Sequence, residues 1–142
     1  MAQPNVVSVT SIYAQSVGFN LGSSADAVLF TVASTKVMKV NSILVANVDG
    51  TNAATFNISV VKNDWDTDDT AAAGGGFGPF TADLSVGSTV YIAKTVSVAP
   101  DSTLVVLESP FYLMAGDQFR AGASAAGDLD LFLSYELIDD AT

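Results

Sequence analysis

The chain has 142 residues, 49% of them hydrophobic and 14% charged, a balance that excludes intrinsic disorder and predicts one domain, residues 1–142, with a hydrophobic core. The 15 acidic and 5 basic residues give a net charge of −10, which argues against nucleic acid and anionic membranes as partners because phosphate binding depends on clustered lysine and arginine. Cysteine is absent, so disulfides and thiolate metal sites are excluded.

Short segments with period-two alternation, separated by Gly, Pro, Asp and Ser turns, recur along most of the chain. They predict strands at residues 6–12, 27–33, 37–48, 53–61, 89–98, 103–107, 118–124 and 129–137, with 17–21 as a candidate short strand. The first of these, being terminal, is also a candidate for pairing with another subunit. With about eight strands and no amphipathic helix, the sequence predicts an all-β fold, an antiparallel β-sandwich of jelly-roll type or a related barrel.

The strand predicted at residues 37–48 is apolar on both faces in its second half. Alternation places one set on a common face, namely Met38, Val40, Leu44, Ala46 and Val48. Ile43 and Val45 then fall on the opposite face, with Lys39, Asn41 and Asn47. A strand of this kind is covered on both sides, either by a loop or by another subunit. Ile43 and Val45 are therefore candidate contact residues.

Two hairpins are predicted from turn chemistry. Asp49 and Gly50 form the strongest short turn signal, and they join the strand at 37–48 to the one at 53–61. In the second of these strands the inward residues are Ala54, Phe56, Ile58 and Val60. Near the C-terminus, the turn at residues 125–128 joins the strands at 118–124 and 129–137 into a closing hairpin. The last strand has one core-facing side, made of Leu129, Leu131, Leu133, Tyr135 and Leu137.

Residues 63–87 lack the alternation of apolar and polar residues seen elsewhere, and this predicts a long irregular loop. Trp65, Phe77 and Phe80 are candidate contact residues within it, although Trp65 fits equally well as a cap on the end of the core. Asp64, Asp66 and Asp68 have the spacing of a calcium loop, but Asp69 stands where the turn requires glycine and no glutamate follows. A solvated acidic loop is the favoured interpretation. The glycines at 74–78 lack the lysine and following helix of a phosphate loop.

The residue types argue against catalysis. Histidine and cysteine, the commonest general base and a common nucleophile, are both missing. Glu108 and Glu136 are the only glutamates, and most aspartates lie at turns, where they cap backbone groups. Gly116 and Asp117 are predicted to shape such a turn after the strand end at residues 112–114. We expect a protein that is not an enzyme and uses no cofactor.

The N-terminal residues lack the basic and apolar regions of a signal peptide. No uninterrupted apolar run approaches the roughly 20 residues of a membrane span. The sequence alone therefore predicts a soluble protein made in the cytoplasm.

Three stretches carry a resemblance to a known class of protein: residues 30–56, with Asp49 and Gly50; residues 111–121, with the Ala-Gly-Asp-Gln-Phe-Arg-Ala run at 115–121; and residues 123–136, ending in Ser-Tyr-Glu. In these stretches the chain resembles the small β-rich structural proteins of tailed bacteriophages. The resemblance consists of turns and core positions, leaves residues 63–87 unmatched and brings no catalytic residues with it.

The resemblance implies a virion component made in the host cytoplasm and displayed on the capsid surface. The expected role is a capsid decoration (cement) protein, favoured as a trimer, that binds and stabilises the major capsid protein lattice. An alternative within the virion is a neck, tail or fibre-associated protein. An alternative of another class is a carbohydrate-binding β-sandwich that stacks sugars on Trp65 beside Asp64 and Asp66.

Overall fold

The computed structural model describes residues 9–63 and 87–140, which form nine β-strands and no helix. The strands are β1 (Val9–Asn20), β2 (Ala27–Thr31), β3 (Lys36–Asn47), β4 (Ala54–Val61), β5 (Thr89–Val98), β6 (Thr103–Leu107), β7 (Phe111–Leu113), β8 (Gln118–Ala123) and β9 (Leu129–Asp140). The predicted calcium-like run and the contact candidates Trp65, Phe77 and Phe80 lie outside the described residues.

The strands form two antiparallel sheets. The first strand pairs with the last, the second with the one before the last, and so on toward the middle of the chain. The five-stranded sheet has the order β1-β9-β3-β6, with β7 also paired to β3, and the four-stranded sheet has the order β2-β8-β4-β5. Since β6 and β7 both pair with β3, they act as one strand interrupted near Pro110. The pairs β1–β9, β2–β8, β3–β6/β7 and β4–β5 give a jelly-roll β-sandwich, which confirms the predicted fold class.

The first strand is longer than the sequence predicts. Two separate strands were expected at residues 6–12 and 17–21, but β1 is continuous and pairs with β9 from Val9 opposite Asp140 to Asn20 opposite Asp130. Residues 13–16, which contain Ala, Gln and Ser, continue the strand because β9 provides hydrogen-bonding partners along its whole length. Tertiary pairing overrides weak local propensity here.

Both predicted hairpins are wrong. β3 and β4 follow each other through Asp49 and Gly50, but they lie in different sheets, as do β8 and β9. The same is true of β2 and β3, so short connections cross from one sheet to the other. A turn that reverses the chain within a sheet and one that crosses between sheets use the same residue types, so turn residues alone do not separate the two cases.

A bulge in β3 determines which of its residues face the core. The register with β9 shifts between Val40 and Ser42, so alternation before that point does not continue after it. Val40, Ile43 and Val45 are all fully buried between the sheets, whereas Leu44 and Ala46 face outward. Beyond the bulge the prediction is therefore reversed: Ile43 and Val45 share the inner face with Val40, and Leu44 and Ala46 lie on the opposite face.

The core lies between the sheets and agrees with the inward positions predicted for β4 and β9. Its largest fully buried side chains include Phe56, Ile58, Leu129, Leu131 and Leu133. The rings of Phe30 and Phe119 stack with centroids 5.1 Å apart, and Phe19 from the other sheet lies 6.2 Å from Phe30. Each large apolar side chain buried in this way contributes about 1.5–3 kcal/mol, so the inner faces hold the sheets together.

The predicted turn at Gly116 and Asp117 is confirmed as a structural element. Gly116 has a φ of 86°, a conformation that favours glycine. Asp117 is fully buried, and its carboxylate accepts hydrogen bonds from the backbone N–H of Met114 at 2.7 Å and of Asn63 at 2.9 Å. The same carboxylate pairs with the ammonium group of Lys62, a partner that no local sequence pattern indicates.

Candidate interaction surface

The described part of the chain shows neither a candidate metal centre nor a membrane-spanning helix. Residues 9–63 and 87–140 hold no group of three or more His, Cys, Asp or Glu side chains placed to bind a metal ion. Within the same residues, no helix is long and apolar enough to cross a membrane. The features that do stand out are apolar surfaces, which lie on one outer face and along two open sides.

An apolar row crosses the outer face of the five-stranded sheet. The register places Gly18, Phe132, Leu44 and Val105 side by side on β1, β9, β3 and β6. Phe132 is 47% exposed and Val105 is 49% exposed, although each lies between inward-facing core residues of its own strand. An aromatic ring and a branched side chain at such positions are unusual for a face that contacts only water.

Polar rows border the apolar row on both sides. On one side Asn20 Nδ2 donates to Asp130 Oδ1 at 2.7 Å. On the other side the hydroxyl groups of Ser42 and Ser134 are hydrogen-bonded to each other. Beyond the serines, Lys39 Nζ lies 3.2 Å from Glu136 Oε2. Glu136 is thus paired with a lysine of the same subunit and Asp130 accepts a hydrogen bond from an amide, so the outer face has an apolar centre with a polar rim.

One open side of the sandwich, between β1 and β2, contains an apolar cavity of about 300 Å³. Its walls come from the inner faces of both sheets and include Val17, Phe19, Phe30, Met38 and Leu137. At its margin the hydroxyl of Tyr135 donates to Gln15 Oε1 at 2.7 Å. The first half of β1 carries two exposed apolar side chains, Ile12 and Tyr13.

The opposite open side, between β5 and β7, holds a second apolar groove of about 420 Å³. Its lining includes Val60, Ile92, Leu107, Phe111 and Leu113. Tyr112 also lines it and is 55% exposed. Within the described residues, both sides at which the two sheets diverge are therefore apolar, which is expected where an open sandwich leaves the ends of its core accessible.

The outer face of the four-stranded sheet is covered from within the subunit. The backbone of Ser24 passes so close to Gly122 on β8 that a Cβ there would lie 1.8 Å from the Ser24 carbonyl oxygen. From the far edge of the sheet, the hydroxyl of Tyr91 donates to Asp26 Oδ2 at 3.0 Å. Ser59, between these two, is fully buried. This face is closed by residues 23–26 and Tyr91, so it offers less surface to a partner.

The Tyr91–Asp26 hydrogen bond predicts a titration difference. The bond to Asp26 raises the pKa of Tyr91 above its ordinary value, because the phenol donates to a carboxylate and its ionisation would place two negative charges together. The bond therefore stabilises the fold below the phenol's ordinary pKa, and this contribution is lost as the pH rises through the higher folded-state pKa. Ultraviolet titration of wild type and Tyr91→Phe should isolate this pKa, and Asp26→Asn should lower it. An unchanged pKa in Asp26→Asn would contradict the assignment.

The structure separates the predicted contact residues into two groups. Ile43 and Val45 are both 0% exposed and belong to the core, because the β3 bulge turns them inward, and they are removed as surface contacts. Trp65, Phe77 and Phe80 lie outside the described residues. Phe132 and Val105 were missed, although the sequence held a signal: each is an apolar residue at a position where alternation calls for a polar one.

Compared with known proteins, the chain matches no family model, no curated protein and no solved structure. Its class is therefore defined by the fold: an antiparallel jelly-roll β-sandwich whose described residues present apolar surface on one outer face and along two open sides.

Proposed function

We propose that this chain is a non-enzymatic structural protein of a tailed-phage virion, and specifically a capsid decoration protein that binds the major capsid protein lattice. The observation that carries the proposal is the apolar row on the outer face of the five-stranded sheet, with Phe132 and Val105 about half exposed. The resemblance of residues 30–56, 111–121 and 123–136 to phage structural proteins supports it. A jelly roll is compatible with many functions, so the surface must supply the argument.

The row suits binding to a flat, repeated protein surface. A sheet is a rigid platform, and the nested pairing of all nine strands fixes the positions of the outward side chains relative to one another. Aromatic residues at the centre of an interface often contribute 2 kcal/mol or more, on the order of the largest single terms. The polar rim around the row then excludes water and fixes orientation. On a lattice, many weak contacts of this kind become collectively stable.

The surface assignment is tested with Val105→Lys. A lysine at the end of the row places an unpaired charge against an apolar partner surface and should weaken binding to purified heads that lack this protein by at least about tenfold. Val28→Lys is the matched control, because Val28 is similarly exposed at 48% but lies on the four-stranded sheet. Equal binding of the two variants in a sedimentation assay would show that the row is not the contact.

The location in the virion is tested by counting copies in purified particles. A decoration protein follows the symmetry of the head and should be present in hundreds of copies. About a dozen copies or fewer, or antibody labelling confined to the tail, would contradict decoration and favour the neck, tail or fibre role.

A further inference from the structure

Among the residues that the structure describes, β1 has the features of an unprotected edge strand. It forms one edge of the five-stranded sheet and runs for 12 residues without a charged side chain or a proline. Natural edge strands are normally protected from pairing with other chains by lysine, proline, strong bulges or shortness. Here the only irregularity is at the start, between Val9 and Ser11. An edge of this kind is expected to be covered by another strand.

The backbone hydrogen bonds identify which positions of β1 are available. Leu21 N donates to Leu129 O at 2.8 Å, one residue beyond the last pair of the β1–β9 register, Asn20 opposite Asp130. From Ser11 onward, the odd-numbered residues of β1 therefore exchange hydrogen bonds with β9, while the even-numbered ones direct their N–H and C=O groups away from it. Four consecutive even positions along the free edge are Ile12, Ala14, Ser16 and Gly18.

We propose that β1 pairs antiparallel with β1 of a second copy, across a two-fold axis at Gln15, so that the two five-stranded sheets join in a homodimer. Charge favours this occupant. The chain carries a net charge of −10, so two copies repel wherever their acidic residues meet, but β1 brings no charge to the interface in any register. The neighbouring acidic residues Glu136 and Asp139 already have lysine partners.

The axis at Gln15 is chosen by shape. It places Ile12, 59% exposed, opposite Gly18 of the second copy, where a Cβ would lie only 3.8 Å from Phe132 Cδ2. The isoleucine can thus pack over the glycine against an exposed phenylalanine ring. The same axis places Tyr13, 52% exposed, opposite Val17, which lines the cavity between β1 and β2. Axes at Ala14 or Ser16 would instead place Ile12 opposite a polar residue.

The size of the contact fits a modest dimer. At about 3.4 Å per residue, twelve residues extend about 40 Å, and the four even positions supply about eight backbone hydrogen bonds, near the usual number for an interface. Strand pairing alone buries less than the roughly 1,200 Å² of a stable interface, so the contacts of Ile12 and Tyr13 must add to it. The two-fold pairing predicts a dimer in place of the trimer expected from resemblance, and it does not depend on the proposed function.

A cysteine scan of β1 tests the axis directly, because the chain has no cysteine of its own. Two Gln15→Cys residues would face each other in a non-hydrogen-bonded pair with Cα atoms about 4.5 Å apart, which permits a disulfide. In Ser11→Cys, the matched control, the two cysteines would be about 27 Å apart. With oxidised glutathione, Gln15→Cys should form a covalent dimer at least about tenfold faster than the control. Equal rates would overturn the proposed axis.

The oligomeric state tests the interface itself. Analytical ultracentrifugation of the wild-type protein should give the dimer mass, and a monomer or a trimer would overturn the proposal. Ala14→Pro removes an outward N–H that β9 does not use and should raise the dimer Kd at least about tenfold with an unchanged circular dichroism spectrum. If that variant fails to fold, Ile12→Lys should give the same increase in Kd. A Kd equal to that of wild type in the folded variant would overturn the interface.

Discussion

Replacing Asp117 with alanine is expected to lower the free energy of unfolding by about 3–5 kcal/mol, the cost of breaking a buried ion pair by removing one partner. The Asp117 side chain is 1% exposed and that of Lys62 is 17% exposed, so neither group is freely hydrated. The substitution also leaves the N–H groups of Met114 and Asn63 without their acceptor. A domain of this size has about 5–15 kcal/mol of stability in total, so the loss should be obvious in urea unfolding followed by circular dichroism.

The double variant Asp117→Ala/Lys62→Met provides the control. It removes the uncompensated ammonium group, so part of the lost stability should return, while the unpaired N–H groups keep it below wild type. Asp130→Ala serves as the surface control, because Asp130 is exposed and its hydrogen bond to Asn20 should be worth about 1 kcal/mol or less. If Asp117→Ala and Asp130→Ala were equally stable, the buried pair would not have the role assigned to it.

The strands themselves were largely predictable from local pattern. The predicted ranges 89–98 and 103–107 coincide with β5 and β6, and those at 53–61 and 118–124 differ from β4 and β8 by one residue. The inward leucines of β9 were also correct, because period-two alternation is imposed by a sheet that buries one face. A strand with one side against the core and the other against solvent therefore shows a clear alternation of apolar and polar residues in its sequence.

The pairing of strands was not predictable in the same way. Turn residues indicate that the chain reverses, but they do not indicate whether the next strand joins the same sheet or the other one. Both hairpins were therefore predicted wrongly. No sequence pattern indicates the bulge in β3 either. Because of it, Ile43 and Leu44 lie on the faces opposite to those that alternation predicts. Lys62 and Asp117 are 55 positions apart, and only the assembled sandwich brings them together.

The candidate surface likewise has one property that local sequence predicts and another that depends on the whole fold. Phe132 and Val105 break the alternation of their strands, and this local irregularity is enough to mark them as outward apolar residues. Their alignment in a single row with Leu44 depends on the registers of three strands, and register is set by packing between the sheets. The apolar residues of the candidate surface can thus be predicted from local sequence, while their arrangement in a row is a property of the fold.

Gly122→Ala is expected to lower the free energy of unfolding by about 1–3 kcal/mol through overpacking. Its Cβ would lie 1.8 Å from the carbonyl oxygen and 2.8 Å from the carbonyl carbon of Ser24. These are backbone atoms, so the collision cannot be relieved by rotating a side chain, and either residues 23–26 or β8 must move. In an unobstructed strand, alanine would be more stable than glycine by about 0.5–1 kcal/mol, and the collision outweighs this gain.

Gly22→Ala is the matched control, because a Cβ at Gly22 meets nothing within 4 Å. It should be as stable as wild type or slightly more so, by about 0.4–1 kcal/mol, through the lower entropy of its unfolded chain. The pKa of Tyr91 then indicates whether residues 23–26 or β8 moves to relieve the collision in Gly122→Ala. If residues 23–26 lift away, Asp26 moves with them, the hydrogen bond is lost and the pKa of Tyr91 falls toward its ordinary value. Wild-type stability together with an unchanged Tyr91 titration would show that the segment does not cross β8 at Gly122, whereas reduced stability with an unchanged titration would place the displacement in β8.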